Sequence, residues 1–396
     1  MKKIAFFLLA LIMVLSGCTG NGENAGDNNQ AQNKMMRSGN EVNEKPRVDQ
    51  ISTANKKTKD INQSETEFKK RQIETIGFLE PVDANAAAQE VRNTGNLLSY
   101  TAFFSYRVKE DGSLIPLNDK KPLTAVKNSK TVPMLVLTNF MDGNFSPDIA
   151  HKIFTNKKAS EKLMSSLIAT MKAKGYKALN IDFEHIREKD RELYNGFLET
   201  IIPRVQKEGY LVSTALAPKT SDDQAGPWHG AHDYKRHGEL ADFVILMTYE
   251  WGWSGGPPMA VSPIHQVKKV IDYALTEIPK EKIVMGAPLY GYDWVLPYKK
   301  GNPYAKRVAP QEAADLAVAK GAQVQFDNKS QSPYFHYKGD DGKKHVVWFE
   351  NEQSARAKFK LVHDYKLRGV AYWVLGEPFP ENWELLTELF TIKTPK

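Results

Sequence analysis

Two periods of hydrophobicity alternate along most of this chain. Short β-rich runs lie at "QIETIGFL" (72–79), "LLSYTAFFSYRV" (97–108), "VPMLVLTNF" (132–140) and "ALNIDFE" (178–184). They continue at "YLVSTALAP" (210–218), "FVILMTYE" (243–250), "IVMGAPLYGY" (283–292) and "GVAYWVLG" (369–376). Between them, apolar residues recur at helical spacing. In 160–174, Leu163, Leu167 and Met171 share one face and Gly175 closes the run. Comparable patterns occupy 188–208, 261–277, 310–320 and 352–366, and Pro203 is expected to kink or split the first of these. Strands separated by helices in this number predict an α/β fold, a (β/α)₈ TIM barrel over residues 72–392. A doubly wound sheet is the competing architecture. Residues 293–350 interrupt the alternation and predict a small α+β insertion between strands 7 and 8, with a hairpin turned at Asp340-Asp341-Gly342.

The pattern before residue 70 is of another kind. Lys2 and Lys3 precede an apolar run from Ile4 to Leu15, the length of a signal-peptide core and short for a membrane span. Leu15-Ser16-Gly17-Cys18 follows and resembles a bacterial lipobox, with Cys18 as the lipidated residue. An ordinary secretory signal with an incidental cysteine is the alternative. Cys18 is the only cysteine, so no disulfide forms within the chain. Residues 19–67 contain no Phe, Tyr or Trp and cannot bury enough apolar area to offset their ordering entropy. The expectation is a signal peptide and lipobox (1–18), a disordered polar tether (19–70) and an extracytoplasmic, lipid-anchored catalytic barrel.

Composition changes this picture little. Hydrophobic residues make up 41% of the chain and charged residues 26%, ordinary for a globular protein. Lys and Arg number 54 against 47 Asp and Glu, a net +7 that is mild and scattered along the sequence. It suits an anionic wall or membrane surface, and a plain solvated surface also accounts for it. No glycine loop cradles phosphate, and no basic stripe interleaved with aromatics suits nucleic acid. A monomer is expected.

Candidate chemistry centres on "NIDFE". Residues two apart in a strand project to one side, with Cα atoms roughly 6–7 Å apart. Asn180, Asp182 and Glu184 therefore form a polar row pointing into the barrel, while Leu179, Ile181 and Phe183 pack against helices. Glu184 stands nearest the C-terminal mouth, where barrels of this kind place their chemistry. Two acids this close resist ionising together, so one pKa should rise and supply a proton donor at neutral pH. A buried salt-bridge network is the alternative use of such a row. Exposed aromatics at Trp251 and Trp253, and at Trp228 and Trp294, are candidate platforms for sugar faces, or merely pack their loops. His229, His232 and His237 lie near Asp233 and Glu239, but at no strong metal spacing. No metal and no cofactor is expected.

These motifs together resemble glycoside hydrolase family 18. Its fourth-strand mark, Asp-x-x-Asp-x-Asp-x-Glu, aligns with "KALNIDFE". Asp182 and Glu184 match, Lys177 and Asn180 replace the first two aspartates, and Ala178 stands where glycine is usual. "LMTYEW" supplies Met247 and Tyr249, and "GAPLYGYDW" supplies Gly286, Pro288, Tyr290 and Gly291, with Tyr292 where chitinases usually have Arg. "GVAYWVLG" supplies the floor tryptophan, Trp373. Within the family the chain is most similar to the bacterial group acting on spore cortex peptidoglycan during germination. Those relatives commonly carry wall-binding repeats ahead of the barrel, where this chain has a lipobox and a polar tether.

The resemblance implies a substrate-assisted, retaining N-acetylglucosaminidase. Glu184 is the acid and later the base, Asp182 orients the substrate acetamido group, and Tyr249 hydrogen-bonds its oxygen. Asn180, Met247, Trp373, Trp251, Tyr290, Tyr292 and Trp294 line the cleft. Lys177, out of phase with the acids, is expected in a structural contact. A chitinase or chitooligosaccharide hydrolase, and a non-catalytic carbohydrate-binding protein of the same fold, are the alternatives.

Overall fold

The computed structural model describes residues 70–340 and 342–395. The expected signal peptide, Cys18 and the tether to residue 69 lie outside them. Seven barrel strands come first: β1 (Arg71–Leu79), β2 (Tyr100–Val108), β3 (Val132–Thr138), β4 (Ala178–Asp182), β5 (Leu211–Leu216), β6 (Phe243–Leu246) and β7 (Ile283–Pro288). An inserted sheet holds β8 (Gly291–Leu296), β9 (Lys306–Val308), β10 (Gln325–Asp327), β11 (Ser332–Lys338) and β12 (Lys344–Trp348), with one helix, Pro310–Ala319. The chain then returns as β13 (Gly369–Trp373). Strands β1 to β7 and β13 pair in parallel, and β1 bonds both β2 and β13. The ring is closed, which excludes a doubly wound sheet and establishes the (β/α)₈ barrel. Among the described residues no helix is long and apolar enough to cross a membrane.

Alternation along the strands fills the interior. Ile76, Phe78, Tyr100, Ala102, Met134, Val136, Ala178, Ile245, Val284 and Ala371 point inward and form one buried cluster. The opposite row meets the helices. Phe183 stacks on Tyr194 and Phe197 of the helix Arg191–Lys207 and on Phe154 of Pro147–Thr155. The helix Lys157–Lys174 begins at Asn156, whose side chain caps Ala159 N–H, and ends at Gly175 in the left-handed region, φ 81°.

Three expectations need correction. Pro203 does not split its helix, which runs unbroken from Arg191 to Lys207. Pro203 lies on the exposed side, where water can satisfy the carbonyl it leaves unbonded. The run 283–292 is two strands. Pro288 ends β7, and Gly291 opens β8 because a side chain there would meet the Trp348 carbonyl at 2.2 Å. Lys177 is exposed, and its backbone N–H donates to the Pro133 carbonyl at 2.9 Å. The β11–β12 hairpin forms as expected, closed by Gly342 at φ 78° bonding back to Gly339; Asp341 lies outside the described residues.

Candidate active site

The fourth strand delivers the two acids to the mouth. Asp182 is its last residue, and Glu184 lies two residues beyond. Glu184 stays in line because Asn139, just past β3, clamps its backbone. The Asn139 Oδ1 accepts from Glu184 N–H at 3.0 Å and its Nδ2 donates to the Glu184 carbonyl at 2.9 Å. His185 then turns away with φ 52°. Both acids are buried, at 5% and 6% exposure, so neither belongs to a solvated rim.

Burial governs their titration. Stripping water from the charged form pushes Asp182 up to about 7. Glu184 rises well above the usual carboxylate range, first through burial and then through the charge of Asp182. A third carboxyl, Glu250, also pushes Glu184 up, while the Trp228 indole N–H, 2.6 Å from Glu184 Oε2, pulls it down. Asp182 Oδ1 is buried and makes no hydrogen bond among the described residues. A neutral Glu184 can thus donate, while Asp182 keeps an acceptor in reserve.

Strands β6, β7 and β13 supply the remaining wall. Met247 and Tyr249 follow β6, tied by Met247 N–H to the Leu216 carbonyl at 2.9 Å. Tyr249 is buried, and its hydroxyl is raised by burial and then by the fields of Asp182, Glu184 and Glu250. Gly286 of β7 makes room for that ring: a Cβ there would lie 2.9 Å from Tyr249 Cε1. Trp373 ends β13 half-buried, held edge-on by Phe104 at 4.8 Å and Phe78 at 5.8 Å between ring centroids. Its peptide bond to Val374 is cis, as is Phe104–Ser105.

The other expected residues divide into two groups. Tyr290 and Tyr292 both donate to Glu250 Oε1, Tyr292 at 2.9 Å, and Arg307 covers the Tyr290 ring at 5.0 Å. Their hydroxyls are committed to that carboxylate. Trp251 is half-buried on the same loop. Asn180 is fully buried one layer below the acids and donates to Ser213 Oγ at 2.9 Å. Trp294 is not an exposed platform: it is buried, and its N–H braces the Gly256 carbonyl at 3.0 Å.

Sequence reasoning missed Asn139, Glu250 and the role of Trp228. Glu250 directly follows Tyr249, a cue that was available. The Asn139 clamp and the Trp228 contact span 45 and 44 residues, and no local pattern announces them. The histidines serve structure. His232 accepts from Ala217 N–H at 2.7 Å through Nδ1 and donates to the Phe183 carbonyl through Nε2, and burial lowers its pKa to about 3. His237 meets Thr214 Oγ1 at 2.9 Å. Among the described residues, no group of three or more His, Cys, Asp or Glu could hold a metal ion.

Comparison with known proteins places this geometry. The profile of glycosyl hydrolases family 18 matches residues 96–377. The chain is 43% identical over 329 residues to the cortical fragment-lytic enzyme of Bacillus subtilis (strain 168), covering 82% of this chain and 76% of that one. The crystal structure of the Bacillus cereus spore cortex-lytic enzyme SleL matches with a TM-score of 0.80 and 42% identity, over 82% of this chain and 76% of that one. A chitinase from Chromobacterium violaceum ATCC 12472, at 24% identity and a TM-score of 0.72 over 80% of this chain and 98% of its own, shares the fold.

Proposed function

The chain belongs to glycosyl hydrolase family 18 and is a glycoside hydrolase, and from that membership we propose that it cleaves β-linked N-acetylglucosamine in spore cortex peptidoglycan, with retention of configuration. The observation that carries this reading is the buried Asp182 Oδ1, unpartnered among the described residues, beside a buried Glu184 whose carboxyl is pushed towards its neutral form. Glu184 protonates the glycosidic oxygen as the bond from it to C1 breaks. The substrate's own acetamido oxygen attacks C1, so no enzyme carboxylate need act as nucleophile. Asp182 accepts from the acetamido N–H and offsets the positive charge of the resulting oxazolinium ion. Tyr249 donates to the acetamido oxygen, and Trp373 packs against the sugar ring. Water then attacks C1 and gives its proton to the Glu184 carboxylate, restoring both groups.

The names of the relatives supply the cortex as target, because both act on that material. The N-terminal segment adds a location: a signal through Gly17, lipidation at Cys18 and a tether to residue 70 would hold the barrel outside the cytoplasmic membrane. Metabolic labelling with a fatty acid, lost in Cys18→Ser, tests that part separately.

Digestion tests the main reading. Purified cortex peptidoglycan, vegetative peptidoglycan and chitin oligomers are each incubated with wild type and Glu184→Gln, and the products are sized by mass spectrometry. Cortex fragments ending in reducing N-acetylglucosamine, absent with Glu184→Gln, are expected. Cleavage of chitin alone would leave the enzyme class standing and overturn the substrate.

A further inference from the structure

We propose that the face of the barrel opposite the catalytic mouth docks on an anionic phospholipid membrane. The net charge is small and scattered along the sequence, and the fold sorts it. In a (β/α)₈ barrel every link from a helix to the next strand lies on the N-terminal face, away from the mouth. Residues 70–71, the seven such links and the tail 393–395 carry ten cations and three carboxylates. The loops that follow the strands, insertion aside, carry four cations and fourteen carboxylates. One end of the barrel is therefore basic and the other, insertion aside, acidic.

Part of the charge at the basic end is taken up within the fold, because Glu74 of β1 pairs with Arg368 at 2.6 Å and with Lys393 at 2.8 Å. Of the three acids on the links, Glu208 is paired with Lys172 at 2.6 Å, Asp242 accepts the Val212 N–H at 2.7 Å, and Glu281 has Lys280 at 3.8 Å. Lys127, Lys130, Lys177 and Lys366 are exposed on three different links, and none forms an ion pair within the described residues. Exposed lysines gathered on one face, with little counter-charge, match a negatively charged plane. A lysine close to an anionic bilayer contributes roughly a fivefold gain in partitioning, and the attraction fades within a Debye length.

The chain's path selects a bilayer over an anionic wall polymer. Lys70, where the described residues begin, sits on this same face at the foot of β1, and 69 residues precede it, Cys18 among them. A membrane-held N-terminus brings the basic end to the lipid first. The mouth, with Glu184 and Asp182, then points away from the bilayer towards the glycan. This docking is independent of which glycan is cut.

The test compares full-length proteins that share one N-terminus. The first variant carries Lys127→Gln, Lys130→Gln, Lys177→Gln and Lys366→Gln. A charge-matched control carries Lys157→Gln, Lys158→Gln, Lys299→Gln and Lys300→Gln, which lie off this face. Flotation is measured with vesicles of roughly 30 mol % phosphatidylglycerol in phosphatidylcholine, and with pure phosphatidylcholine, at about 0.1 M and about 1 M salt. Wild type and control should bind the anionic vesicles equally, and the first variant at least ~10-fold more weakly at low salt only. A third protein with Lys→Arg at the same four positions should bind like wild type. Turnover of cortex peptidoglycan fragments, measured in parallel, should be unchanged throughout. The proposal is overturned if the first variant and the control bind alike, or if the arginine protein loses binding as the glutamine one does. Wild type that ignores the vesicles but is retained by an anionic wall polymer would overturn it in favour of that polymer.

Discussion

Besides burial, three neighbours act on Glu184, Asp182 and Glu250 raising its pKa and Trp228 lowering it, and each can be altered singly. In its proposed role as proton donor Glu184 must be protonated, so its titration should set the alkaline limb of activity. Glu184→Gln should lower kcat by about 10²–10⁴-fold while the protein stays folded, as read by steady-state rates on cortex fragments. In Trp228→Phe the indole donor to Oε2 is gone. The charged form of Glu184 loses that support, its pKa rises further, and the alkaline limb of the pH–rate profile should move to higher pH. Glu250→Gln acts with the opposite sign. It removes a neighbouring negative charge while leaving an oxygen for Tyr290 and Tyr292, so the alkaline limb should move to lower pH. Shifts in the same direction for both variants would contradict this account. The same burial carries a stability cost. Each acid has a folded pKa above its unfolded value, so its neutral form favours the fold in acid, and that contribution is lost as pH rises through about 7 for Asp182. Glu184→Gln should therefore melt higher than wild type at pH 8, by about 2 °C or more, with a smaller difference at pH 4. Calorimetry at the two pH values measures it.

Elements bring these residues together through close backbone approach. At Gly286 of β7, a Cβ would lie 2.5 Å from the Leu246 carbonyl oxygen and 2.9 Å from the Tyr249 ring. Gly286→Ala must spread β6 from β7 and displace Tyr249. It should cost about 1–3 kcal/mol, read from the denaturant midpoint, and lower activity together with stability. The strand pattern was legible because inward and outward positions alternate strictly in a barrel, as Asn180 to Glu184 show. Strand ends were less so: β4 stops at Asp182 and β6 at Leu246, and the residues beyond are held by cross-links such as the Asn139 clamp. The fate of Trp294 was illegible for a related reason. The insertion folds its indole onto the Gly256 carbonyl, a loop group 38 residues earlier in the chain.

At the scale of the whole molecule, the fold turns an unremarkable charge balance into a polarity. Lys127 and Lys366 lie far apart in sequence and share a face only because the barrel closes. In the proposed reading the acidic mouth cuts glycan and the basic foot meets an anionic membrane. The proposed cutting rests on a cleft in which the substrate supplies its own nucleophile. The most direct test is kcat/KM of wild type on one glycan in two forms, N-acetylated and chemically de-N-acetylated at the residue whose bond is cut. With no acetamido oxygen to attack C1, the second form should lose at least ~10³-fold, the scale of a well-placed intramolecular group. Comparable rates on the two forms would contradict the account, because Asp182 and Tyr249 would then have nothing to orient.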